Sequence, residues 1–497
     1  MKRTGGILLH ITSLPGEEGI GTMGKGAFDF VDLLKEAGLG IWQILPLGPS
    51  VKDNSPYQCF SAFAGNPLLI DLNELQNSGL LLHGDINKDS KFSKKEVDYT
   101  RVIEWKFQIF RKAFENFKSD SNPIPLNDYN GFLEEHGWWL NDYALFMACR
   151  ENFGNITWTN WDKDIKFREK QTLEKYSTRF AEEIDFHRFL QFLFFTQWHR
   201  LKRYANSKGV KIIGDMPLYV SADSVDVWTN PDIFQLDKNL KMTHVGGVPP
   251  DYFSEDGQLW GNPLYDWDAL KKRDFDWWIA RLHFNFGLFD LVRIDHFRGL
   301  DSYWSVAATE ETAVNGKWIP AGGAEMLAKL NKQVTELPLV AEDLGVITPE
   351  VVKLRDAFNL PGMKVLQFAF SSDASNEYLP HNYEMNFLAY TGTHDNDTMV
   401  GWYKNLTKKE KMMLRKYFRG GKNQVAGWAV ETIWASVAGL AVAPVQDILS
   451  LGSRARMNTP GKITGNWVWR LKSIQLLSKH TRFMKELGEK YGRLNNK

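Results

Sequence analysis

Four acids stand where apolar runs end: Asp215 in "KIIGDMP" (211–217), Asp295 in "LVRIDHF" (291–297), Glu342 in "LVAED" (339–343) and Asp395 in "LAYTGTHD" (388–395). One acid after a strand can simply cap the next helix. Four of them, with Arg293 and His394 as neighbours, read instead as one constellation. Side chains alternate along a strand, so Arg293 and Asp295 share a face. A guanidinium is permanently charged and is expected to hold Asp295 ionised, which makes it a candidate nucleophile. Glu342 follows the apolar "LPLVA", where desolvation is expected to raise its pKa and suit it to be a general acid. Paired carboxylates pushed apart in pKa serve glycoside hydrolysis and transfer. Neighbouring strands lie ~4.8 Å apart, which favours the ~5–5.5 Å carboxylate separation of retaining chemistry, in which one carboxylate bonds to the sugar. His394 and Asp395, in "THDND", are suited to grip vicinal hydroxyls and stabilise an oxocarbenium-like state. His296 and Arg298 read as supports of the rim.

These side chains need a scaffold that brings strand ends together. Eight short apolar runs recur along the chain: 6–12, 41–47, 211–217, 291–297, 339–343, 363–370, 388–395 and 441–449. Their length and apolar content predict strands buried on both faces. Helical patterns lie between most of them, for example "GAFDFVDLLKEAG" (26–38) and "TPEVVKLRDAF" (348–358), the latter opened by Thr348 and Pro349. Eight strands alternating with helices predict an α/β fold, a (β/α)8 TIM barrel spanning 1–497 as one catalytic unit. The alternative, an open doubly wound sheet, lacks its glycine-rich phosphate fingerprint after a strand. Two gaps exceed a simple crossover. A helix-rich insertion, about 72–205, follows strand two, and a Gly/Pro/Trp-rich insertion, about 218–285, follows strand three. Long excursions from a barrel usually build its active-site rim.

Composition narrows the partners. Lys plus Arg equals Asp plus Glu, 60 each, which argues against a broad electrostatic footprint for nucleic acid or an anionic membrane. The two cysteines, Cys59 and Cys149, are too few for a disulfide framework and read as reduced thiols in a cytoplasmic protein. "MKRTGGILLHITSLPG" reads as a first strand, its apolar part being too short and broken for a signal peptide. No run reaches the ~20 apolar residues needed to span a bilayer. Aromatic residues make up 13%, including 19 Trp, and several sit in loops such as "SEDGQLWGNPLYDW". Aromatic rings beside polar groups suit ligands with apolar faces and hydroxyl edges, sugars and nucleobases alike.

Two rival chemistries differ in testable ways. An enolase-like barrel also gathers acids on consecutive strands, but around Mg²⁺ with a Lys or His base. Arg293 and Arg298 would oppose a cation beside Asp295, and no Lys closes a strand. A non-catalytic starch-binding protein would leave the acid set idle. The sequence carries no HExxH, CxxC pair, EF-hand loop or GxSxG elbow.

"VRIDHFRG", "AEDLG" and "GTHDNDT", in that order, resemble the three catalytic blocks of the α-amylase superfamily. "SPYQCFSAFAGNPLLIDL" (55–72), "GDMPLYVSADSVDVW" (214–228), "GVPPDYFSEDGQLWGNPLYDW" (247–267) and "QDILSLGSRARMNTPG" (446–461) resemble the 4-α-glucanotransferase family, also called amylomaltases or disproportionating enzymes. The resemblance runs over essentially the whole chain and is of the compact form without extra N-terminal domains. It implies retaining transfer of an α-1,4-glucan segment from a donor maltodextrin to the 4-hydroxyl of an acceptor glucan or glucose, without an organic cofactor; the residue spacing itself offers no metal site. Its substrates would be maltooligosaccharides, amylose or glycogen-derived dextrins. By the same resemblance Asp295 matches the nucleophile, Glu342 the general acid/base and Asp395 the transition-state-stabilising acid. Tyr57, Asp215, Arg293 and His394 match residues lining the subsite of the reacting glucose. Gln258 and Trp260 match acceptor-side contacts on a flexible lid, and Asn466 in "GNW" a further sugar contact. The residues alone do not choose transfer over hydrolysis by the same carboxylate pair, since both share one glycosyl intermediate.

Overall fold

The computed structural model describes residues 2–51, 53–86, 91–120, 122–250 and 255–495. Among these, twelve strands form two sheets. In chain order they are β1 (Thr4–Leu8), β2 (Ile41–Gln43), β3 (Lys211–Met216), β4 (His244–Val248), β5 (Gln258–Pro263), β6 (Leu291–Ile294), β7 (Ser302–Ala307), β8 (Lys317–Pro320), β9 (Leu339–Ala341), β10 (Gly362–Val365), β11 (Phe387–Tyr390) and β12 (Leu440–Pro444). The larger sheet is parallel throughout, in the order β10-β11-β12-β1-β2-β3-β6-β9. Its two ends meet where the Ala341 N–H donates to the Pro361 carbonyl (2.8 Å), so the sheet is a nearly closed barrel. Each of the eight apolar runs supplies one of its strands.

The chemistry is built on the alternation of these strands. Leu8, Ile41, Ile213, Val340, Met363 and Val442 belong to a buried cluster separate from the main core, and they fill the barrel interior. Two residues further along the same faces the side chains turn polar. Ile213 is followed by Asp215, Leu291 by Arg293 and then Asp295, and Val340 by Glu342. The strand register sets Asp215 opposite Arg293. The apolar interior layer therefore gives way to charge at the C-terminal ends of the strands, where barrel enzymes work.

The chain leaves the barrel sheet at length between β2 and β3 and between β3 and β6, with two differences from the insertions expected. Long helices Tyr99–Phe117, Leu126–Asn152 and Ala181–Ser207 occupy the first. The last of them also lies against the helix Lys25–Glu36 and leads into β3, so it doubles as the barrel's own outer helix. Lys106 anchors this layer. Its fully buried ammonium donates to Glu18 (2.7 Å) and to the carbonyls of Leu68 (3.0 Å) and Ile70 (2.6 Å). The second difference concerns the rim. The smaller sheet is antiparallel, in the order β5-β4-β7-β8. It takes two strands from the loop after β3 and two from the loop after β6, so residues 302–320 share the rim with the insertion after strand three. Residues 251–254 of the "GVPPDYFSEDGQLW" block lie outside the described residues.

Candidate active site

Arg293 is the hub. It is 4% exposed, and its guanidinium is shared between two acids. Nη1 donates to both carboxylate oxygens of Asp215 (2.7 Å each), and Nη2 pairs with Asp295 (3.0 Å). Asp215 also accepts from the Tyr57 hydroxyl (2.8 Å), so this fully buried acid anchors Arg293 and Tyr57 from below the pocket floor. The guanidinium occupies the place between the carboxylates that an enolase-like site would give to a cation. Asp295 follows β6 and opens to the pocket, with 32% of its side chain accessible. Arg293 does not hold it as low as the sequence led one to expect. Burial, with the charges of Asp215 and Asp395, outweighs the guanidinium and sets the Asp295 carboxyl at about 6.

Glu342 follows β9, the strand next to β6. Its carboxylate accepts from the backbone N–H groups of His296 (2.7 Å) and Leu344 (3.2 Å). Burial is the largest influence on it, the Asp295 charge adds to it, and the carboxyl rises to about 8. The two acids are tightly coupled, and the direction is clear from their surroundings. Asp295 has the guanidinium at 3.0 Å and gives up its proton first, while Glu342 keeps its proton into the neutral range.

Asp395 is a third case. Burial opposes its charge, yet His394, Asn458 and Arg293 together hold it well below the usual carboxylate range. The Asn458 amide donates to its Oδ1 (2.6 Å), and His394 Nε2 stands 3.4 Å from its Oδ2. Burial works against a charged His394 as well, but Asp395 outweighs it and raises the imidazole pKa. His394 stacks on Tyr57 with centroids 5.1 Å apart and the planes 22° apart, and Trp467 closes on both rings at 5.8 Å.

These groups face a pocket of about 540 Å³, within the range that holds small ligands. Gln258 and Trp260, both on β5, line it, and the Trp260 indole N–H donates to the Gln258 side chain (3.2 Å). Tyr57, Arg293, Asp295, Glu342, His394 and Asp395 line it too. Asp215 sits beneath that wall. Asn466, expected as a sugar contact, is not brought to the wall. Its amide accepts from the Thr459 N–H (2.9 Å) and donates to the Lys462 carbonyl (2.8 Å), bracing the turn that carries the pocket residues Pro460 and Gly461. Arg298 supports the rim: its guanidinium lies 3.6 Å over the Trp318 ring and donates to the Val346 carbonyl.

Sequence reasoning missed Asn458 and Arg456. Arg456 donates to the backbone carbonyls of Asp395 and Asn458, and the Asn458 N–H donates to the His394 carbonyl (3.1 Å). Both lie in the block "SRARMNTPG", which was legible as a block but not as a clamp. The available signal was that an ionised Asp395 at the pocket wall needs donors, and the segment after β12 supplies them.

A barrel whose mouth sets an ionised carboxylate beside a protonated one, under aromatic walls, belongs to the enzymes that cut or move glycosidic bonds. Comparison with known proteins narrows this. The family model described as 4-alpha-glucanotransferase matches residues 9–477. The chain is 48% identical to the 4-alpha-glucanotransferase of Thermus thermophilus, over 99% of this chain and 100% of the relative. It is 49% identical to that of Synechocystis sp., over 99% and 98%. Among solved structures, the amylomaltase from Streptococcus agalactiae in complex with acarbose superposes with a TM-score of 0.96 at 42% identity, covering 99% of this chain and all of that one. The amylomaltase from Corynebacterium glutamicum, at 18% identity and a TM-score of 0.80, shares the fold. The chain belongs to the 4-alpha-glucanotransferase family and is an enzyme of that kind.

Proposed function

We propose that the chain moves an α-1,4-glucan segment with retention, through a covalent bond between the sugar and Asp295. In the first step Glu342 gives its proton to the glycosidic oxygen as the C1–O bond breaks, and the Asp295 carboxylate takes C1. The released glucan leaves with a free 4-hydroxyl. In the second step an acceptor 4-hydroxyl attacks C1, its proton passes to Glu342, and Asp295 is freed. Two inversions restore the α configuration. Asp395 and His394 grip the hydroxyls of the reacting glucose, Tyr57 gives it a ring to lie against, and Arg293 and Asp215 keep Asp295 aimed. Gln258 and Trp260 receive the acceptor, either maltodextrin or glucose, and Asn466 acts through the turn it braces. The chain works as one catalytic barrel, its insertions near 72–205 and 218–285 serving as outer layer and rim.

The observation that carries this reading is the unequal pair on neighbouring strands: Asp295 with a guanidinium at 3.0 Å, and Glu342 with only backbone donors among the described residues and a pKa of about 8. The donors and acceptors follow from the family. No helix among the described residues is long and apolar enough to cross a membrane. Cys59 and Cys149 are free thiols, which supports a reducing compartment, the cytoplasm. The test is incubation with maltotriose followed by chromatography. A ladder of longer and shorter maltodextrins with glucose is expected. Glucose and maltose alone would replace transfer by hydrolysis with the same carboxylate pair.

A further inference from the structure

We infer that His296 is a positioning residue that ties the acid/base Glu342 to the acceptor platform Trp260, and so sets how the glycosyl-enzyme divides between sugar and water. This rests on the roles proposed for Glu342 and Trp260.

His296 directly follows Asp295 and has φ 54° and ψ 47°, the left-handed region that residues with a side chain rarely adopt. That conformation aims its backbone N–H at Glu342 Oε2 (2.7 Å). The neighbouring Phe297 N–H donates to the Glu342 carbonyl (3.1 Å), so the turn after β6 grips the acid at both its carboxylate and its backbone. Strained backbone at a functional site persists when its surroundings over-determine it. Here the surroundings are a seat for the imidazole ring. Trp260 meets the ring edge-on, with centroids 4.7 Å apart and the planes 87° apart. On another side the ring lies close to Gly299, where a Cβ would stand 2.3 Å from Leu218 Cδ2 and 3.1 Å from the ring's Cδ2. No hydrogen bond fixes the ring through Nε2, which is buried without a partner among the described residues. Burial, with Arg298 nearby, also lowers the imidazole pKa to about 3, so the ring is a neutral packing element.

The chain of contacts is short. β5 carries Trp260, whose indole N–H is tied to Gln258. Trp260 seats the ring, the seated ring keeps the left-handed turn, and the turn points one N–H at the proton-carrying group. Glu342 must give a proton to the leaving oxygen and later take one from the incoming hydroxyl. A sugar stacked on Trp260 holds the seat in place at that moment. Water makes no such contact, so it meets a less well-aligned base.

His296→Asn tests this. Asn tolerates the left-handed region and keeps the backbone N–H, while the ring is lost. The readout is the ratio of longer maltodextrins formed to new reducing ends from maltotriose, which does not depend on how much enzyme is folded. The ratio is expected to fall roughly tenfold, the scale of coupling between residues in contact. Trp260→Ala should lower the same ratio, and the double variant should fall no further than the worse single one, because both remove the same link. His296→Gly serves as a second ring-free variant. An unchanged ratio in both ring-free variants, or a double variant equal to the product of the singles, would overturn the link while the transfer reading stood. A parent enzyme that forms no longer maltodextrins would overturn the transfer reading, and this inference with it.

Discussion

Replacing Arg293 by lysine separates the two tasks of its guanidinium. One nitrogen serves Asp215 and another serves Asp295, at 2.7 and 3.0 Å. A single ammonium on a different stem cannot span both. It should stay with Asp215, whose side chain has no access to water, and release Asp295, which opens to the pocket. The fold then survives, since the deepest carboxylate keeps a counter-ion. Losing an adjacent opposite charge raises a carboxyl by about 1–3 pKa units. From about 6, that carries Asp295 into the range ~7–9. At pH 7 the ionised fraction drops from roughly nine-tenths to between about one-half and one-hundredth. We therefore expect kcat/KM on maltotriose at pH 7 to fall between about twofold and one hundredfold. The shape of the profile is the sharper readout. The acid limb moves up toward the basic limb, set by a carboxyl at about 8, and the peak becomes lower and narrower. The limbs report the pair as a unit, so their separation is the quantity to compare. An acid limb that stays where it was, with activity lost evenly at every pH, would refute the account of Asp295.

Three further predictions use other parts of the molecule. Glu342 has a folded pKa of about 8, above its ordinary value, so the folded state keeps a proton that the unfolded chain releases, and stability falls as pH rises through that window. The neutral E342Q variant escapes this and should be more stable than the parent by a few kcal/mol near pH 8, with the difference vanishing near pH 4; denaturant titrations at both pH values measure it. Asn458→Ala removes the 2.6 Å donor from Asp395 but leaves that acid ionised, so kcat/KM should fall about tenfold to one hundredfold with the limbs of the pH profile unmoved; a shifted limb would mean that the amide acts on the Asp295–Glu342 pair instead. Lys106→Met leaves Glu18 buried without its counter-ion and should lower stability by about 3–5 kcal/mol in denaturant titration, whereas a loss below about 1 kcal/mol would make the pair equivalent to a surface contact.

Much of this was legible in the sequence because barrel strands announce themselves. Short apolar-rich runs such as "LVRI" mark strands, and their period of two carries Arg293 and Asp295 onto the inner face. Glu342 could be read as a raised carboxyl because "LPLVA" leads into it. The rim was harder. β7 and β8 lie in a Trp-rich stretch whose pairing partner β4 is some sixty residues away, so no local pattern joined them. The Asn458 clamp failed to appear for the same reason, since it reaches Asp395 across 63 residues. The bonds of the Asn466 amide within its own turn were not legible, because a motif identifies a position without saying which partners the side chain holds. Asp295 misled in degree: the guanidinium was legible, but the burial and the two neighbouring acids that oppose it arise only when distant strand ends meet.

The central claim is a bond between Asp295 and sugar. The E342Q variant lacks the acid for a glucan donor and the base for deglycosylation, but an α-maltotriosyl fluoride needs little acid help to react. Mixing the two and measuring the mass of the intact protein and its peptides tests the claim directly. The account predicts one added maltotriosyl group on the peptide containing Asp295, discharged when a small anion such as azide is supplied and released as the α-azide, the product of two inversions. No added mass, or an adduct on any other residue, would contradict it.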